Sequence, residues 1–239
     1  MTSILKYMFA ICISISMTKC DYVTNSVDGK GEVIQQEYEL DDFTSLKLKN
    51  GWEVELIPSE ESKMLISANE NLFEELNFEE SDNQLTIEAS RNMGRADKKL
   101  IQLFYNQPLE EMKVSSGVYL HSASTLNATN LDAKFSSGCK TDLNLNTQML
   151  QVDVSSGANI TLTGNSDMSN FEVSSGAGVD AKELISKEAE AKTSSGASLK
   201  LHINGRLIAK SSSGGVIRYQ GDVTNIEKTT SSGGSVKEM

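Results

Sequence analysis

From residue 115 onward the tripeptide Ser-Ser-Gly returns seven times: Ser115-Ser116-Gly117, Ser136-Ser137-Gly138, Ser155-Ser156-Gly157, Ser174-Ser175-Gly176, Ser194-Ser195-Gly196, Ser212-Ser213-Gly214 and Ser231-Ser232-Gly233. Successive copies stand 21, 19, 19, 20, 18 and 19 residues apart. No other feature limits the fold so strongly. A fixed period of this length marks a solenoid, whose units bury their apolar faces only against neighbouring units.

The residues between the marks are patterned as well. Directly before them stand Val114, Phe135, Val154 and Val173, then Thr193, Ser211 and Thr230. Directly after come Val118, Cys139, Ala158, Ala177, Ala197, Gly215 and Gly234. Around the marks apolar residues recur at every second position, as in Leu150, Val152 and Val154 or Leu199, Leu201 and Ile203. That is strand periodicity with one face buried. Two short strands and their turns, in about 19 residues, make one coil of a parallel β-helix, so the fold class is all-β. At ~4.8 Å per coil, seven coils build a rod of about 33 Å.

The mark itself has a structural role. Each coil must turn a corner, and Gly117, Gly138, Gly157, Gly176, Gly196, Gly214 and Gly233 accept positive φ without steric cost. Carrying the alternation through the mark turns the second serine inward (Ser116, Ser137, Ser156, Ser175, Ser195, Ser213 and Ser232), where stacked hydroxyls would satisfy one another in a ladder. Cys139 then takes the small inner corner position that alanine holds elsewhere. A nucleophilic role would require a base beside each serine. The chain has two His, and both His121 and His202 fall among outward polar positions.

Residues 36–113 lack the mark but keep strand signals over 45–48, 52–57, 63–67, 76–80, 84–89 and 100–105, with turns at Asn50-Gly51, Pro58-Ser59, Asp82-Asn83 and Asn106-Gln107-Pro108. Residues 69–76 fit a short helical turn. This segment is expected to be the irregular start and cap of the same domain, with a separate small β domain as the alternative. Residues 21–35 are expected to form a flexible tether. The chain stops soon after the last mark, so end-to-end self-association through an open edge is also expected as an option.

The first twenty residues read as a secretory signal: Lys6, a short apolar run to Met17, then Cys20. Cys20 stands where a bacterial lipoprotein carries its lipidated cysteine, although Lys19 is an unusual residue before it, and ordinary signal cleavage nearby is the alternative. Export to the outer membrane, the cell surface or the periplasm follows. Cleavage would leave Cys139 as the interior cysteine and rule out an intramolecular disulfide. The whole chain holds 22 Lys+Arg against 33 Asp+Glu, a net charge of −11, so nucleic acid is a poor partner. No cofactor motif is present.

The segment Phe43-Thr44-Ser45-Leu46-Lys47-Leu48, followed by Asn50-Gly51-Trp52-Glu53-Val54-Glu55-Leu56, then Leu85-Thr86-Ile87 and the recurring Val-Ser-Ser-Gly-Ala units at 154–158 and 173–177, resembles the putative auto-transporter adhesin, head GIN domain family of Bacteroidetes-type exported proteins. The resemblance covers about residues 36–239 and implies a right-handed β-helix in an exported protein. It implies no catalytic residues.

Three functions follow as expectations. The first is a non-enzymatic binding or adhesion module for a surface glycan or protein, with Asn159, Thr161, Asp180, Lys200, Arg218, Tyr219 and Tyr119 as outward candidates. The second is a structural envelope lipoprotein that stacks on itself or scaffolds a neighbour. The third, a polysaccharide-active enzyme, needs clustered carboxylates. The equivalent outward charges Lys134, Asp153, Glu172 and Lys192 instead form a row of mixed sign.

Overall fold

A computed structural model of the chain describes residues 26–239. The expected signal segment 1–20, with Cys20, and residues 21–25 of the expected tether lie outside the described residues.

The chain forms a β-solenoid of about 7 turns at about 19-residue spacing. One long strand runs from just after each mark to just before the next: Tyr119–Phe135, Lys140–Val154, Asn159–Val173, Gly178–Thr193 and Ser198–Ser211. Neighbouring coils pair in parallel along these strands, so that Lys140 faces Asn159 and Val154 faces Val173. Because the register is one full coil, like positions stack on like. Cys139, Thr141, Leu143, Leu145 and Thr147 point inward, and the alternation then shifts by one residue to Leu150, Val152 and Val154. That phase shift is a corner within the strand. Positive-φ glycines serve the same region in two coils, Gly164 at +106° and Gly205 at +148°. A Cβ on Gly164 would stand 2.0 Å from the Leu145 carbonyl oxygen of the coil beneath.

At the mark the geometry differs from the expected inward serine. The second serine takes φ between +47° and +56° in all seven copies, and the glycine after it lies between +69° and +77°. Positive φ at both central residues defines a type I′ two-residue turn. The strand therefore ends before the turn, alternation does not pass through it, and from Ser137 onward the second serine is exposed. The expected hydroxyl ladder is absent there. A backbone ladder takes its place: Gly138 N–H donates to Ser156 O at 3.1 Å, Gly157 N–H to Ser175 O at 3.2 Å and Gly176 N–H to Ser195 O at 3.0 Å. Within the turn, Ala158 N–H donates to Ser155 O at 3.2 Å.

Hydroxyl pairs do stack in the interior, at other positions. Thr193 Oγ1 donates to Ser211 Oγ at 2.9 Å, and Ser211 Oγ donates to Gly215 O at 2.7 Å. At the corner within the strand, Thr147 Oγ1 donates to Ser166 Oγ at 3.0 Å. The drift from Val173 to Thr193 and Ser211 before the mark is thus accommodated by paired buried hydroxyls.

The N-terminal region belongs to the same sheet. Ser45–Leu48 pairs with Glu111–Val114, and Glu53–Pro58 pairs with the start of the Tyr119–Phe135 strand, so residues 45–57 form the coil beneath the first marked one. Its corner is Asn50-Gly51, with φ of +66° and +84°. Beneath that coil lies another, built from Gln84–Ala89 and Lys99–Tyr105. Antiparallel strands then close both outer edges. Leu76–Ser81 covers Gln84–Ala89, while Lys63–Asn69 covers Lys99–Tyr105 and is itself covered by Val33–Glu39. A 3₁₀ turn, Glu70–Glu75, joins the two excursions. Part of the expected tether is therefore built into the fold. Ser26–Val27 pairs with Asn92–Met93, and residues 33–35 lie in the capping strand, where apolar Ile34 and backbone pairing hold them.

At the other end, Asn225–Thr230 and Ser235–Glu238 form the last layer. It is the most exposed part of the rod, with Ile226 and Val236 only partly covered.

Candidate functional site

Each coil leaves the sheet for its type I′ turn through two outward positions, the residue two before the first serine and the first serine itself. Stacking repeats this step and leaves a groove across the coils. It is lined by Lys134, Asp153, Glu172, Lys192 and Lys210 on one side and by Ser136, Ser155, Ser174, Ser194, Ser212 and Ser231 on the other. The groove has a volume of about 620 Å³ and crosses six coils, about 24 Å at the spacing of paired strands. This groove is thus a direct product of the repeat.

Its charges are satisfied within the protein. Lys134 Nζ donates to Asp132 at 3.1 Å, which raises the lysine pKa. Glu172 pairs with Lys192 at 2.8 Å, and this bond raises the Lys192 pKa. Lys210 reaches Glu190 at 3.2 Å and holds that carboxyl below its ordinary value. Gln151 Nε2 donates to Asp153 Oδ1 at 2.9 Å. The expected row of mixed sign is therefore real, but every member is engaged with a neighbour. The first serines differ: among the described residues, none of their hydroxyls has a hydrogen-bond partner in the protein. These first serines are not among the outward candidates read from the sequence, which lie on the strand face after the mark and at Tyr119. Their constant spacing was the available signal.

The other outward candidates lie on the strand face after the mark. Asn159, Thr161, Asp180 and Lys200, with Lys140 and Ser198, surround a shallow depression of about 220 Å³. It exists because Gly178 has no side chain to fill its place in the row. Asp180 accepts from Lys200 at 3.0 Å; burial works to raise its pKa, but the bonds from Lys200 and the Lys182 N–H, with both lysine charges, together lower it. Tyr119 donates to Asp142 at 2.9 Å, and its ring stacks beside His121 at 5.2 Å. Arg218 is exposed. Tyr219 is not: it stacks on Leu201 at an inward position and is 6% exposed, with its hydroxyl accepting from Lys228 at 2.8 Å. Strict alternation required this, since its neighbour Arg218 faces out. Among the described residues no three His, Cys, Asp or Glu side chains are grouped so as to hold a metal ion.

Residues 42–223 match the family described as putative auto-transporter adhesin, head GIN domain. The chain belongs to this family. Three solved structures share this fold over 90% of the present chain. A putative adhesin from Bacteroides fragilis is 17% identical, with a TM-score of 0.82 and all of its own chain covered. A putative adhesin from Parabacteroides merdae is 21% identical, with a TM-score of 0.72 and 99% of its chain covered. A putative lipid binding protein from Parabacteroides distasonis is 17% identical, also with a TM-score of 0.72 and 99% covered. At these identities the likeness concerns the fold. No curated protein matches the sequence.

Proposed function

We propose that this head GIN domain protein is an exported, non-enzymatic binding module of the bacterial cell envelope that attaches to a surface ligand through the groove along its turns. The groove carries this reading, because it offers a continuous polar contact line on a rigid scaffold. The adhesin descriptions of the family and of its solved relatives support a binding role. The amino-terminal Lys6, apolar run and Cys20 support export with a lipid anchor to the outer membrane. Catalysis has no support in the groove, where the carboxylates of Asp153 and Glu172 are each tied to a neighbouring side chain.

Mild protease treatment of intact cells tests the location, with Cys20→Ala as control for the anchor. Digestion of the wild-type protein without lysis, and release of Cys20→Ala from the membrane fraction, are the expected results. Binding of the fluorescently labelled mature protein to bacterial cells and mucus tests the activity. Protection from protease together with no saturable binding would overturn the proposal. A second reading, self-association as a scaffold, draws on the exposed last layer with Ile226 and Val236. Sedimentation velocity across a concentration series decides it: a monomer at all concentrations removes this reading.

A further inference from the structure

We infer that the ligand of this groove is an uncharged, extended glycan chain lying across the coils, roughly one sugar to each coil. The inference rests on the binding role proposed above and names the chemistry of its partner.

The first observation concerns shape. The groove is open along its length, about 24 Å long and one turn wide, so it suits a thin polymer better than a compact ligand. Its lining repeats every coil, about 4.8 Å. An extended peptide presents side chains to one face every ~6.6 Å and falls out of step after two coils. A pyranose in an extended chain advances by close to one coil spacing and keeps its hydroxyls in step with Ser136, Ser155, Ser174, Ser194 and Ser212.

The second observation concerns charge. Lys134, Glu172, Lys192 and Lys210 are all held in ion pairs, and Asp153 accepts from Gln151. A charged polymer would have to break these pairs, and the net charge of −11 repels polyanions. What the groove leaves free is neutral: serine hydroxyls, each able to donate once and accept twice, which matches a polyhydroxylated ligand without net charge. The lining has no exposed aromatic ring, so the contact relies on many weak hydrogen bonds, and affinity should depend on chain length.

The test uses the mature chain and defined probes. Cello-, malto-, manno- and xylo-oligosaccharides of two to eight units are titrated by calorimetry, at low and high salt, with heparin and alginate as polyanions. The expected result is binding to at least one neutral series, rising with length to about five or six units, and insensitive to salt. Ser155→Ala/Ser174→Ala should weaken it by about tenfold, from loss of two hydrogen bonds. Ser155→Leu/Ser174→Leu, which fills the groove, should abolish it, with unchanged circular dichroism as the check on folding. Salt-sensitive binding to heparin or alginate alone would overturn the inference, as would neutral binding indifferent to both double variants. If no glycan binds while the labelled protein still attaches to cells, the glycan inference fails and the binding role stands. If neither binds, both fail.

Discussion

Ser116, Ser137, Ser156, Ser175, Ser195, Ser213 and Ser232 all occupy the left-handed region, which costs an L-residue about 1–2 kcal/mol unless a local hydrogen bond relieves it. The corner beneath them uses Asn50-Gly51, the preferred pair for this turn. Ser156→Asn is therefore expected to stabilise the protein by about 0.5 kcal/mol, and Ser156→Val to destabilise it by about 1–2 kcal/mol, read from urea unfolding midpoints. The orientation of these serines was not legible in the sequence. Alternation holds only within a strand, and nothing in Ser-Ser-Gly announces that the strand stops one residue earlier. Cys139 was legible, because its place in the repeat is that of Ala158 and Ala177. Burial pushes its thiol up to about 11. The folded thiol keeps its proton where the unfolded thiol ionises, so the stabilisation is whole below pH about 9 and is lost as pH climbs from about 9 towards 11. Stability should fall across that window in the wild type. Cys139→Ala should flatten the decline, and native Cys139 should resist thiol reagents until the chain unfolds.

The strands of the repeat could be placed from the sequence because each apolar row is counted off by its mark. The capping strands could not. Residues 63–67 and 76–80 carry the same alternation as the coils, and direction is not written in alternation: a strand buried on one face reads alike whether it pairs parallel or antiparallel. Asn50-Gly51 was recognised as a turn, but only the pairing of Lys49 N–H with Ile87 O and of Ser115 N–H with Leu48 O shows that it is the same corner as the marks, one layer down. Residues 21–35 read as a tether because they contain Gly29 and Gly31 and few apolar side chains, yet Ser26–Val27 pairs with Asn92–Met93 and residues 33–35 pair with Lys63–Asn69. That strand shields an edge. Deleting residues 26–40 should lower the melting temperature by about 5–10 °C and cause concentration-dependent association, seen by size-exclusion chromatography.

Across the whole molecule the sheet pairing of each coil is with the coils directly above and below it, so local stability should vary along the rod. Gly157 N–H sits inside the turn ladder and donates to Ser175 O at 3.2 Å, whereas among the described residues no backbone carbonyl receives the Gly233 N–H. Hydrogen exchange at Gly157 should be slower than at Gly233 by about a hundredfold or more, resolved by NMR. Equal rates would mean that the rod opens as one unit. Residues 84–105 form the outermost coil, 45–57 the one above it and 111–122 the next, with the edge covers drawn from residues 33–81. Every part of the closed end is thus contained in the first 105 residues. A chain made from its amino terminus completes its foundation before the first marked coil exists, and each later stretch of about nineteen residues meets a finished edge with one open seat. Growth of this kind would proceed from a single moving front, and an incomplete chain would expose one sticky edge instead of two.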